Sequence, residues 1–154
     1  LRRGSASAAF DSEGVTTRNN EFVRDGVLTS YLLDSYSGRR LGMETTGNGG
    51  GVRNLGVSHG DLGLNGLLRE MGEGFLVTEL MGQGVNNITG DYSRGAAGFW
   101  VSGGEIAYPV EEMTIAGNLQ EMFQQLVAVG NDRDRRGNIQ SGSILLEQMS
   151  IAGE

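Results

Sequence analysis

Glycine supplies 27 of the 154 residues and proline only one, and this imbalance constrains the fold more than any single motif. The glycine share is more than twice the usual level of about 7 per cent, yet no Gly-X-Y period accompanies it. The chain must therefore turn tightly and bring backbone close to backbone many times. A hydrophobic fraction of 38% is enough to build a core at this length, where about 68 to 70 per cent of the unfolded surface is buried. Residues 1–9 are small and polar and are expected to form a loose lead-in. Residues 10–154 are expected to form a single domain. The start at Leu1 rather than Met suggests a fragment or a processed piece of a longer chain.

Three counts remove whole chemistries. The sequence has no cysteine and one histidine, His59, and all 12 of its basic residues are arginine. A thiolate nucleophile, a disulfide framework, a lysine Schiff base and a Walker A lysine are thus unavailable. One histidine cannot form an HExxH zinc pair. The net charge of −7 argues against direct contact with nucleic acid or an anionic membrane, both of which need a clustered positive field. Arg2 and Arg3, and Arg133, Arg135 and Arg136 near acids, are expected to be solvated. No apolar run approaches the roughly 18 residues of a membrane span and no signal peptide is visible, so a cytoplasmic location is expected.

Periodicity places the elements. Asp25 and Gly26 suit a type I′ turn that sets Val23 opposite Leu28. Asp34 can cap a helix through Arg40, with Gly42 as its left-handed terminus. Thr45–Gly51 looks like a flexible loop. Leu64, Leu67, Leu68 and Met71 mark one face of a helix closed by Gly72, and Phe75–Leu80 has the composition of a strand. A turn at Gly103 and Gly104 is expected to pair Val101 with Ile106 and Phe99 with Tyr108 on a core face, leaving Pro109 at an edge or end. Asn118 and Glu121 resemble a capping box before Leu119, Met122, Phe123 and Leu126. Val127–Val129 and Ile144–Ile151 complete the strands. The related segments MTIAG (Met113–Gly117) and MSIAG (Met149–Gly153) are too few for a repeat protein and are expected to be two strand-to-turn exits. The predicted class is α+β: mostly antiparallel sheet, several hairpins, two or three short helices.

Few residues suggest chemistry. Ser58 and His59 are neighbours in a glycine-flanked loop with no G-x-S-x-G elbow, so His59 is expected to be a surface residue. The run from Asp132 imitates the start of a calcium loop, but Arg136 occupies a ligand position and Ser143 stands where the bidentate Glu belongs. Gly82, Gly84 and Val85 begin a dinucleotide-like G-x-G, which fails at Asn87 and leads to a turn instead of a helix. Glu111 and Glu112 are adjacent, so on a strand they face opposite ways, unlike a glycosidase pair. No catalytic residue and no metal ligand emerges. The remaining candidate is Thr89–Trp100, in which Gly90, Asp91, Tyr92, Ser93, Arg94 and Gly95 concentrate polar groups beside permissive backbone. Arg94 either presents its guanidinium to a bound chain or pairs internally with Asp91 or another acid.

With these blocks in view, the sequence resembles the C-terminal half of the TldD/PmbA family, on its PmbA/TldE-like side. The resemblance lies in FDSEG (Phe10–Gly14), SYSGRRLG (Ser35–Gly42), TTGN (Thr45–Asn48), VTELMGQGV (Val77–Val85), TGDYSRGAAGFW (Thr89–Trp100), YPVEEMTIAGN (Tyr108–Asn118) and VAVGND (Val127–Asp132). It implies one subunit of a cytoplasmic heterodimeric metalloprotease that matures peptides and degrades unfolded or flexible ones. A modulator of DNA gyrase is the alternative implied by another name for the family. In the TldD-type subunit, zinc is held by a His-Glu-x-x-x-His helix and a cysteine near the C-terminus. This chain has neither, so the resemblance implies no cofactor here, zinc in the TldD-type partner, a dimer, and a peptide substrate. It places Gly90–Gly95 toward that partner or substrate.

Overall fold

The computed structural model describes residues 4–153. Among them are β1 (Val23–Arg24), β2 (Val27–Leu28), α1 (Ser35–Leu41), β3 (Leu55–Gly56), α2 (Leu64–Met71), β4 (Gly74–Met81), β5 (Asp91–Ser102), β6 (Glu105–Asn118), α3 (Leu119–Gln124), β7 (Leu126–Val129), β8 (Ile139–Gln140), β9 (Ile144–Leu146) and β10 (Ser150–Ala152). The class is α+β with mostly antiparallel pairing, as the pattern predicted; β3 and β8 run parallel. No helix among the described residues is long and apolar enough to cross a membrane. The chain divides into two compact units, residues 4–56 with Arg135–Gln140, and Val57–Asp134 with residues 141–153.

Polar clamps hold the first unit. Asp25 (φ 51°) and Gly26 (φ 78°) take left-handed backbone and pair Val23 with Leu28 as expected. The Asp34 carboxylate caps α1 by accepting from the Ser37 amide at 2.7 Å, and left-handed Gly42 ends the helix. Leu33 is its buried aliphatic residue. The Leu33 carbonyl accepts from the Thr46 amide at 3.0 Å and from the Thr45 hydroxyl at 3.1 Å, while its amide donates to the Thr46 hydroxyl at 2.8 Å. The buried Asp11 carboxylate accepts amides from Glu13 and Val15 at 2.9 Å each and from Gly49 at 2.8 Å. Thr45–Gly51 is therefore fastened at both ends, where the sequence suggested a flexible loop. Of the lead-in, residues 1–3 lie outside the described residues. Farther on, the Ala6 amide donates to Asn54 Oδ1 at 3.1 Å.

The second unit is organised by a four-stranded sheet in the order β10-β6-β5-β4, all antiparallel. β5 and β6 form a long hairpin around Gly103 (φ 62°) and Gly104 (φ 79°). α2, closed by Gly72, packs against this turn: the Gly104 amide donates to the Gly72 carbonyl at 2.8 Å, and a Cβ on Gly104 would stand 2.9 Å from the Arg69 Cα. Leu67, Leu68, Ala96, Val101 and Ile115 are buried here, and Val129 and Leu145 join them from the β7–β9 pair.

Val101 pairs with Ile106 as predicted, but an extra β6 residue at Ala107 shifts the ladder, so Phe99 lies opposite Pro109 and Trp100 opposite Tyr108. The predicted core face holds only in part: Val101 is fully buried, whereas Ile106 is 50% and Tyr108 55% exposed. Pro109 stands inside β6, on the stretch that β10 does not reach. Ile144–Ile151 is two strands in two sheets, β9 beside β7 and β10 beside β6. The two related segments are not separate exits. They pair with each other, Ile115 directly opposite Ile151. α3 is short, capped by the Asn118 side chain at the Gln120 amide (3.0 Å), and it buries none of its residues; Leu126 belongs to β7.

Two measurements follow. Leu68→Ala, at a site 6% exposed, is expected to cost about 2 to 5 kcal/mol in urea unfolding, whereas Ile106→Ala is expected to stay within about 0.5 kcal/mol of the parent; a reversed order would displace the core from this face. Acid titration probes the clamp. Burial pushes the Asp11 carboxyl upward, but the Gly49, Val15 and Glu13 amides and the Arg53 charge more than offset this and leave its pKa below the ordinary 3.8. A lowered folded pKa means the carboxylate's stabilisation is complete above pH 3.8 and is lost as pH falls through the folded value. The difference in thermal midpoint between the parent and Asp11→Asn is therefore expected to be full at neutral pH and to close below pH 3.8; a difference independent of pH would contradict the clamp.

Candidate functional site

The segment from Gly90 to Gly95 turns into β5 and forms its first half. It pairs with the end of β6, Asp91 opposite Asn118, Tyr92 opposite Gly117, Ser93 opposite Ala116, Arg94 opposite Ile115 and Gly95 opposite Thr114. Its other edge is also occupied. Gly95 pairs with Met81 of β4, Tyr92 bridges to Val85, and the Ser93 amide donates to the Gly84 carbonyl at 2.7 Å. A Cβ on Gly84 would overlap the Ser93 carbonyl, so only glycine permits this approach. Gly84 and Val85 thus serve strand pairing and Gly82 takes left-handed backbone just after β4, which gives the rejected dinucleotide motif its structural purpose.

Strand alternation separates the polar side chains. Asp91, Ser93 and Gly95 share one face, and Tyr92, Arg94 and Ala96 the other. Asp91 is exposed and accepts from the Thr89 hydroxyl at 2.6 Å. Half-buried Arg94 lies on the opposite face, so the internal pair with Asp91 does not form, and Arg94 makes no ion pair among the described residues. Its guanidinium reaches only the carbonyls of Met81 (Nε, 3.5 Å) and Leu80 (Nη2, 3.4 Å), both at the long limit for a hydrogen bond. Most of its five donors remain available for a group arriving from outside.

The other sequence candidates have structural employment. His59 is exposed, with Nδ1 2.8 Å from the Gly60 carbonyl oxygen. Asp132 accepts from the Ser143 hydroxyl at 2.6 Å and its amide at 3.1 Å. Ser143, chiefly through its side chain, holds the Asp132 carboxyl below its ordinary range, and the calcium-like run is a loop staple. Glu111 and Glu112 lie opposite Ala97 in a bulge where Glu112 has left-handed backbone (φ 58°), which breaks simple alternation between them.

Zinc does not fit the side chains present. Among the described residues no three His, Cys, Asp or Glu side chains gather to hold a metal ion. The buried carboxylate, Asp11, is saturated by amides.

What the sequence did not disclose is the strand that carries the candidate segment, Ala116–Asn118. These residues also wall a half-open recess of about 230 Å³ beside α3. The only available signal was the similarity of MTIAG to MSIAG, which marks the β6–β10 pairing next to it.

Comparison with known proteins shows the family. Residues 1–153 match the PmbA/TldA metallopeptidase C-terminal domain. The chain is 57% identical, over all its length, to the metalloprotease PmbA of Escherichia coli O157:H7, of which it covers 34%. It superposes on a Thermotoga maritima protein provisionally assigned as a modulator of a DNA gyrase, with TM-score 0.88, 39% identity and coverage of 97% of this chain and 36% of that one. TldE from Thermococcus kodakarensis gives TM-score 0.82 at 28% identity, covering 95% of this chain and 36% of that one. The chain thus spans about a third of the length of these relatives.

From the donor inventory, the purified chain is expected to hold less than stoichiometric zinc after dialysis against a weak chelator. Elemental analysis checks this, and one tightly retained zinc per chain would overturn it.

Proposed function

Because this chain belongs to the PmbA/TldD metallopeptidase family, as its C-terminal domain, we propose that it acts in the non-metal subunit of a heterodimeric cytoplasmic metalloprotease that matures peptides and degrades flexible ones. In this reading the domain over residues 10–154 is one part of a longer subunit, and a TldD-type partner supplies the zinc. Gly90–Gly95 faces that partner or the substrate peptide. The observation that carries the proposal is Arg94: a half-buried residue whose guanidinium has no acid partner among the described residues, on a strand held along both edges, with long, exposed contacts to two carbonyls. Such a group is positioned by its backbone and keeps its binding capacity for carboxylates or carbonyls. The chain's net charge of −7 suits protein or peptide partners better than nucleic acid.

A second reading, a non-enzymatic interaction module acting on DNA gyrase, draws on the provisional assignment of the Thermotoga maritima relative. Peptidase activity that appears only after a TldD-type subunit is added supports the first reading, and none with that subunit present supports the second.

Arg94→Ala in the full-length subunit discriminates further. It strands no buried acid, so the thermal midpoint is expected to stay near the parent's. Reconstituted peptidase activity is expected to fall roughly tenfold to a hundredfold, the equivalent of charge-assisted hydrogen bonds worth about 1.5 to 3 kcal/mol. Severe loss of stability, or full activity in a stable variant, would return Arg94 to a structural role.

A further inference from the structure

Where β6 runs into α3, the recess beside Asp91–Ser93 has Gly117 in its lining, Met122 and Met149 nearby, and Glu121, Gln125 and Gln148 among its polar groups. Gly117 has more room than Gly84 and Gly98. Its φ is not left-handed, and a Cβ there would lie 3.5 Å from Met122 Cγ, 3.6 Å from Met122 Sδ and 3.7 Å from Met149 Cε. These are ordinary van der Waals separations, so a methyl group fits at this position and would narrow the recess.

The recess has a definite chemistry. At about 230 Å³ it lies below the roughly 300 to 1,000 Å³ of small-molecule pockets, which leaves room for a single long side chain. The two thioethers are unbranched and polarisable, and they adapt to a flexible methylene stem. Glu121 is the one formally charged residue in the lining. It forms no ion pair, and the Gln125 and Gln148 side chains make no hydrogen bond, among the described residues. One carboxylate and two amide oxygens match the three N–H donors of an ammonium group.

We propose that this recess binds the side chain of a lysine in an incoming polypeptide, its methylenes between Met122 and Met149 and its ammonium at Glu121, Gln125 and Gln148. The inference rests on the preceding reading, in which this face receives a polypeptide, and it deepens that reading by naming the residue type captured. These 154 residues contain no lysine, so the captured residue lies outside them.

The test is an NMR titration of the full chain with N-acetyl-Gly-Lys-Gly-amide, its norleucine isostere, and free 1,5-diaminopentane. Expected are shifts at the Gly117, Gln125 and Met149 amides, with the norleucine peptide and the diamine each at least about tenfold weaker than the lysine peptide. Glu121→Gln, at an exposed position, should erase the preference for lysine over norleucine. Gly117→Leu should fill the recess and abolish the shifts; if it fails to fold, Gly117→Ala should weaken binding while keeping the parent thermal midpoint. No binding, equal affinity for lysine and norleucine peptides, an equally tight diamine, or a preference that survives Glu121→Gln would each overturn the proposal. The assay needs neither partner nor zinc. Its failure would leave the Arg94 reconstitution undecided, and a failed reconstitution would leave this result intact.

Discussion

Everything in the second unit depends on β5 being paired along both edges. A central strand of twelve residues can satisfy its backbone only if both neighbours come close, and at two points the approach leaves no room for a Cβ. A side chain on Gly98 would overlap the Leu76 carbonyl, and one on Gly84 would overlap the Ser93 carbonyl. The abundance of glycine is in part the requirement for such contacts, set by sheet geometry. Arg94 derives its orientation from the same requirement. Its backbone pairs with Ile115 of β6, next to the Met81–Gly95 pair that ends β4, and among the described residues no acid steers the guanidinium.

The first unit reaches order by a different route. It buries little aliphatic surface, and Leu33 functions as much through its peptide groups as through its side chain. Asp11, withdrawn from water, repays its desolvation by taking three amides from two separate stretches of chain. Amides donated to a buried carboxylate favour its charged form over its protonated one, so this unit's stability is linked to a proton equilibrium. The second unit's order rests on apolar packing and β-ladders.

Where local chemistry decides the outcome, the sequence was readable. Asp25-Gly26, Asp34 with Gly42, the Leu64–Met71 face, the Gly103-Gly104 turn and the Asn118 cap all rest on interactions within a few residues, and all stand as expected. Burial and exact register were less legible because they depend on residues far along the chain. Ala107 looks like any strand residue until the β5 partner reveals it as surplus, and Ile106 looks like core until the faces are counted. The polar run in Gly90–Gly95 hid a central strand, since its pairing partners in β6 lie 19 to 27 residues farther along the chain. The candidate residues were therefore found by composition and family resemblance, while their separation onto two faces required the coordinates.

β6 has one further property. β5 covers it from end to end, but β10 covers only Thr114–Ala116, so among the described residues its outer edge from Glu105 to Met113 carries no strand. A bare edge of that length is a template for aggregation. Here Pro109 contributes no N–H, Glu111 and Glu112 bring negative charge, and the left-handed backbone of Glu112 bends the line along which a foreign strand would have to lie. The same strand that supports the candidate site on one side is thus guarded on the other against recruiting neighbouring chains into fibrils.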